Sequence, residues 1–411
     1  MKKKLLITVG AGASVDFGLP SVSDIDTLFD RWASKSHPLA EDTASNLYRY
    51  CRDAINSYYK QASSACLRKH TNFEEVLYQL NLLTPYLSDP NRLHGSNALL
   101  AAKSLPDVLC FERHRKTADG AVLRNLINTL IDELVNHFSE GCTIASTEKA
   151  AEIAELSQFL VALTDEFEIG IITLNYDNIF TQALSGLHTG FDEAGQFVPM
   201  SVLTRQEWNF IYHLHGSVHF AMTGDKHDMH DISWLATPSK DRKVQAAGRN
   251  SHDSMEGTAY PNSPIVAGYG KPQQILRQPF RTYFAQVNRL VYEVDSLLFL
   301  GYGFGDLHLN AVLSAVRDRP CPIVLVDYAC KNQDPLSLRQ DAWAENLFKT
   351  LLCDQRRVSL ARHSSPAYLG ELVAAREMEV LSDSKHGVAV WYGGMLEACR
   401  YPQKILEHLR S

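Results

Sequence analysis

The stretch EIGIITLNYDNIF (168–180) constrains the fold more than any other part of the chain. Ile169, Ile171 and Ile172 make a β-branched run that is too brief for a helix and suited to a buried parallel strand. The run ends at Leu174 and gives way to Asn175, Tyr176 and Asp177, after which Ile179, Phe180, Ala183 and Leu184 follow at helical spacing. In an open α/β sheet, ligands bind just beyond the carboxyl ends of the strands. The amide of Asn175 and the carboxylate of Asp177 therefore stand where they can touch one. Both residue types also cap helices well, so this segment alone leaves the two readings open.

Other strand ends repeat the arrangement. Leu5 to Val9 reads as a buried first strand and runs straight into GAGASVDFGLP (10–20). A strand feeding a glycine-rich turn lets backbone N–H groups approach a phosphate without side-chain obstruction. The dinucleotide fingerprint G-x-G-x-x-G is incomplete, because Val15 stands where the third glycine belongs, and a plain tight turn remains open. FIYHLHGSVHF (210–220) alternates as a strand, with Ile211, His213 and His215 on one face and Tyr212 and Leu214 on the other. Gly216 then leaves the His215 imidazole unobstructed. Ser296 to Leu300 is a further buried strand, and GYGFGDLHLN (301–310) follows, with Asp306 placed to cap the next helix. Ile323 to Val326 makes another strand.

Between the first strand and the stretch at 168, residues from about 22 to 165 read as helical. The spacing of Thr71 and Glu74 predicts a capping box ahead of a stripe formed by Phe73, Val76, Leu77 and Leu80. Leu123 to Phe138 and Ile153 to Phe167 carry two further apolar stripes, which read as core. Segments 34–45 and 88–120 lack a period and read as loops. Segment 221–264 is polar and turn-rich. Its HDMHD run (227–231), with His219 and His252 nearby, has a spacing that could hold a metal, but a solvated loop is the better reading and no metal is expected. Phe280 to Val291 forms an amphipathic helix. Beyond Asp327 the pattern weakens to helices at Ala342–Leu352 and Met395–Leu409.

At 411 residues the chain can bury a large core plus a second lobe. Its net charge of −7 offers no basic field for nucleic acid and no polybasic membrane signal. Leu5 to Val9 is shorter than the roughly 7–15 residues of an export signal's core, and no run reaches transmembrane length. The eight cysteines contain no C-x-x-C pair, so reduced thiols in the cytoplasm are expected.

Four strand-end motifs thus stand in order: GAGAS (10–14), TLNYD (173–177), HLHGS (213–217) and GYGFGDLHLN (301–310). Together they resemble the sirtuin family, and more closely the bacterial sirtuin-like NAD hydrolases of anti-phage defence than the protein deacylases. The nearest resemblance is to the stand-alone subunit that pairs with a HerA-type ATPase. The resemblance implies an α/β fold with a Rossmann-like parallel sheet of sirtuin type over residues 1–330, a large helical insertion at about 22–165, and a small, mostly helical C-terminal extension at 331–411. By position, Gly10, Ala11, Gly12 and Ser14 match the loop that holds the phosphates and ribose of NAD. Asn175 matches the asparagine that contacts the nicotinamide ribose or orients water, and Asp177 the aspartate near the nicotinamide pocket. His215 matches the histidine that acts on the ribose hydroxyls. Gly301, Gly303 and Asp306 match the loop around the adenosine half.

Two departures narrow the expected activity. Where deacylases carry an aspartate–phenylalanine–arginine run after the first loop, this chain has GLPSVS (18–23). Where they insert a four-cysteine zinc module that frames the acyl-lysine channel, segment 221–264 has no cysteine. The resemblance then implies NAD as substrate, cleaved to nicotinamide and ADP-ribose by an NAD-depleting effector of abortive infection. Homo-oligomeric assembly with the ATPase partner would control it. A protein deacylase or ADP-ribosyltransferase is the alternative from another enzyme class, and a non-catalytic NAD-binding scaffold the alternative without chemistry.

Overall fold

The computed structural model describes residues 2–410 apart from 62–70, 88–104, 111–113, 223–231, 239–251, 256, 257, 262, 320, 329–345, 348, 352–365 and 382–386. Its short apolar runs become one seven-stranded sheet: β1 (Lys3–Val9), β2 (Phe167–Thr173), β3 (Asn209–His213), β4 (Ser296–Leu300), β5 (Ile323–Val326), β6 (Glu379–Leu381) and β7 (Val388–Trp391). The spatial order is β6-β7-β5-β4-β1-β2-β3. All neighbours are parallel except the edge pair β6 and β7. From β1 the chain runs outward through β2 and β3, then returns and builds β4, β5 and β7 on the other side. The order therefore reverses between β1 and β4, and in doubly wound sheets that reversal is where ligands sit.

Apolar residues on both faces of β1 explain its central place. Leu5, Ile7 and Val9 face one layer of helices, while Leu6 faces the other. The first layer holds α1 (Val22–Ser36), α2 (Leu47–Gln61), α3 (Phe73–Tyr86), α4 (Gly120–Glu148) and α5 (Ala150–Glu166), all between β1 and β2, with α6 (Ile179–Ala183) after β2. The second layer holds α7 (Phe280–Glu293), α8 (Leu307–Leu313) and α9 (Pro366–Ala375). Each fully buried leucine or isoleucine in such a sandwich contributes about 1.5–3 kcal/mol.

Several local expectations shift. The cap of α3 is Asn72, whose side chain accepts from Glu75 N–H at 3.1 Å, one residue after the expected Thr71. Thr71 instead donates to the Glu75 carboxylate. Within the expected loop 88–120, Asp107–Cys110 and His114–Thr117 pair as a hairpin, and Val108 also bridges Leu39. Four-residue strands without alternation carry no readable period. Segment 221–264 likewise contributes to two small hairpins, Phe220–Met222 with Ile232–Trp234 and His252–Met255 with Thr258–Pro261.

The region after 330 adds strands as well as helices. Val324 pairs in register with Ala389, so β7 continues the same sheet. The expected helix Met395–Leu409 divides into α10 (Met395–Arg400) and α11 (Pro402–Arg410) at Tyr401, because Pro402 lacks the N–H a continuous helix needs. Ile405, Leu406 and Leu409 pack α11 on the first face, and Ser296 Oγ donates to Leu409 O at 2.9 Å. Among the described residues no helix is long and apolar enough to cross a membrane.

Candidate active site

At the reversal point the loops after β1 and β4 touch. Gly10 N–H donates to Leu300 O at 2.9 Å, and Gly12 N–H to Gly301 O at 3.1 Å. A Cβ on Gly10 would stand 2.6 Å from Gly301 O, and one on Gly301, whose φ is +58°, would stand 2.1 Å from Ala13 N. Only glycine fits either position. Most N–H groups of this turn have partners within the protein. Those of Gly10, Gly12, Ala13 and Ser14 already donate to backbone carbonyls. What the glycines permit is the contact between the two loops.

Asn175 is buried at the end of β2. Its side-chain nitrogen donates to Gly10 O at 2.9 Å and to Ser14 Oγ at 3.0 Å. Both amide hydrogens thus hold the first loop, and the carboxamide oxygen is left as the acceptor for a ligand. Asp177 does cap: its Oδ1 accepts from Ile179 N–H at 3.1 Å. Its Oδ2 is buried without a hydrogen-bond partner. Burial raises the Asp177 pKa, against the opposing pull of Ser14 and Asn175.

The two histidines of the third motif part company. β3 ends at His213, and its imidazole packs against the rings of Phe220 and Trp234, with burial lowering its pKa to about 3. His215 follows in the turn and faces the loop after β4, with Nε2 3.1 Å from Asp306 Oδ2. Asp306 caps α8, as its sequence position suggests, through Oδ1 and Leu309 N–H at 2.8 Å. Its Oδ2 also meets Lys271 Nζ at 2.9 Å, and Lys271 reaches Glu74 Oε1 at 3.3 Å. Burial opposes charge at Asp306, but His215 and Lys271 outweigh it and hold the carboxyl well below the usual range. At His215, burial and the Lys271 charge prevail over Asp306, and the pKa is lowered. A neutral imidazole near pH 7 follows.

These groups line one cavity of about 460 Å³, within the range of small-molecule sites. Every residue that the resemblance matched to an NAD site borders it: Gly10, Ala11, Gly12, Ser14, Asn175, Asp177, His215, Gly301, Gly303 and Asp306. Sequence reasoning missed Glu74, Lys271, Tyr176 and Tyr302. Glu74 looked like half of a capping box, and Lys271 lies in an aperiodic segment without a motif. Asn72, Phe73 and Glu74 at the start of α3 form one wall, so the helical insertion builds part of the site. His227, His230 and Asp231 lie outside the described residues. His219 is buried between Asn178 Nδ2 at 3.0 Å and Leu235 O at 2.7 Å. Among the described residues no group of three or more His, Cys, Asp or Glu side chains is arranged to hold a metal.

Residues 169–345 match the SIR2-like domain family. That span contains Asn175, Asp177, His215, Lys271, Gly301, Gly303 and Asp306, while the loop at 10–14 and Glu74 lie outside it. Solved structures similar to the chain include a mutant Sir2 homologue complexed with 2′-O-acetyl ADP ribose, with 13% identity, 86% of this chain and 96% of that chain covered, and a TM-score of 0.35. Another is a Sir2 homologue–NAD complex, with 13% identity, coverage of 84% and 88%, and a TM-score of 0.30. No curated protein matches the chain.

Proposed function

We propose that the chain is an NAD glycohydrolase that cleaves the nicotinamide–ribose bond with water, giving nicotinamide, ADP-ribose and a proton. The observation that carries this reading is the convergence of Asn175 and His215 on one cavity at the β1/β4 reversal, with Asp306 behind the histidine. The SIR2-like match over 169–345 supports NAD as the molecule held there.

Cleaving this bond develops positive charge at the anomeric carbon, as in glycoside hydrolysis. Nicotinamide leaves from a cationic ring, so no strong acid has to protonate it. The site has to seat the sugar, stabilise the cationic transition state and deliver water. The Asn175 carboxamide oxygen can accept from a ribose hydroxyl or the attacking water, while its nitrogen fixes the loop after β1. His215 turns Nε2 toward Asp306, so the proton taken from a ribose hydroxyl or water goes to Nδ1. The Asp306 carboxylate then stabilises the imidazolium. Asp177 borders the same cavity, and by the resemblance it would lie near the nicotinamide.

By the same resemblance, the physiological role is NAD depletion in anti-phage defence, held silent until homo-oligomeric assembly with a HerA-type ATPase. Incubating the purified chain with NAD alone, with and without that ATPase, and resolving the products by chromatography tests the chemistry. Equimolar nicotinamide and ADP-ribose are expected. Stoichiometric binding without turnover in either condition would establish the scaffold reading, and turnover only with an acylated peptide the deacylase reading.

A further inference from the structure

Asp306 offers one oxygen to two basic groups. Its Oδ2 lies 2.9 Å from Lys271 Nζ and 3.1 Å from His215 Nε2, and its other oxygen is occupied by Leu309 N–H. Lys271, Asp306 and His215 are 7%, 7% and 4% exposed. Burying an ammonium costs several kcal/mol unless it is well paired. Lys271 meets that condition by reaching Glu74 on the far side, so the helical insertion joins the cluster.

We propose that Lys271 is a positioning residue for the reaction described above: by engaging Asp306 and Glu74 it keeps His215 uncharged, with a ring nitrogen open to a substrate proton. The purpose of this arrangement rests on the NAD-cleavage reading, but its test does not.

Without Lys271, the buried Asp306 carboxylate would have His215 as its remaining basic neighbour, and an opposite charge at that distance favours the ionised imidazolium. An imidazolium has no lone pair with which to act as a base. The groups facing His215 sort by sign. Asp306 and Glu74 favour its protonation, while Lys271 and burial oppose it. Asp177, Tyr176 and Tyr302 border the same cavity, and burial disfavours the ionised form of each.

The experiment follows the His215 imidazole by NMR in the full chain as pH is varied, with its signal assigned by its loss in His215→Gln. In Lys271→Met the titration midpoint is expected to rise by about one pH unit or more, with NAD cleavage near neutral pH falling and returning in more alkaline buffer. In Lys271→Met combined with Asp306→Asn the midpoint should fall back to or below that of the parent. A wild-type midpoint in the single variant, or a raised one in the double variant, overturns the proposal. If Lys271→Met does not fold, Glu74→Gln reads the same coupling with the opposite sign. There the midpoint should drop, and an unmoved one overturns the proposal. The titration needs no NAD, so a parent protein that leaves NAD intact refutes the cleavage reading without touching this one.

Discussion

The side-chain nitrogen of Asn175 donates to the carbonyl oxygen of Gly10 at 2.9 Å, joining the end of β2 to the end of β1 across 165 positions of sequence. The same nitrogen holds Ser14 Oγ. The carboxamide thus ties down a loop that lines the cavity, which Asn175 also borders. Removing it should affect loop and ligand together. Asn175→Ala is expected to raise KM for NAD and remove most turnover, while His215→Ala should lower kcat by about 100- to 10,000-fold with a smaller change in KM. Both should still melt cooperatively. Steady-state kinetics checks the split, and wild-type turnover in either purified variant would refute the assignment.

Gly301 and Gly303 are two residues apart in one motif, yet the structure separates them. A methyl group on Gly301 would overlap Ala13 N at 2.1 Å on a backbone with φ of +58°, whereas one on Gly303 meets nothing within 4 Å. Gly301→Ala is expected to force the loops after β1 and β4 apart, at a cost of about 1–3 kcal/mol of stability and most NAD affinity. Gly303→Ala should melt within about 0.5 kcal/mol of the parent. Thermal melts of the pair, with NAD binding by calorimetry, make the comparison, and equal losses would mean that the loop contact does not govern the site.

How much of this was legible follows from what each residue has to do. The strands at 5–9, 169–173, 296–300 and 323–326 are apolar on both faces, and a buried parallel strand leaves that mark whatever surrounds it. The polar or glycine-rich ends of the first three border the cavity. Lys271 and Glu74 leave no such mark. Each is an ordinary charged residue whose meaning comes from partners 35 and, through Lys271, roughly two hundred positions away. Strands β6 and β7 were hidden because short strands far along the chain gain their stability from β5, not from their own pattern. The capping box at Thr71 misled by one position because Asn72 is as good a cap as threonine.

Stability should depend on acid in a specific way. Burial lowers the pKa of His213 to about 3 and that of His37 to about 4, against about 6.5 in an unfolded chain. Between those values the unfolded state binds protons that the folded state refuses, so stability rises with pH. The full contribution is present above about pH 6.5 and is lost as pH falls toward the folded-state values, at about 1.4 kcal/mol per pH unit for each histidine. Urea midpoints taken from about pH 7.5 down to about pH 4.5 should therefore fall, and less steeply in His213→Leu. An identical slope in that variant would remove His213 from the account.

The wall built by α3 permits a matched test of what the helical insertion does for the cavity. Asn72 caps α3 by accepting from Glu75 N–H at 3.1 Å, and Asp119 caps α4 by accepting from Val122 N–H at 2.8 Å. Each cap is worth about 1 kcal/mol, so Asn72→Ala and Asp119→Ala should lower the melting point by similar amounts. Their effects on NAD should differ. The first turn of α3 carries Phe73 and Glu74 to the cavity, while Asp119 does not border it. Fraying that turn loosens the Glu74 end of the Lys271 bridge as well as the wall. Asn72→Ala is therefore expected to raise KM for NAD several-fold at equal loss of stability, with Asp119→Ala leaving it unchanged. If the two variants weaken NAD binding equally, the effect is general softening of the fold, and the insertion's wall plays no part in holding the nucleotide.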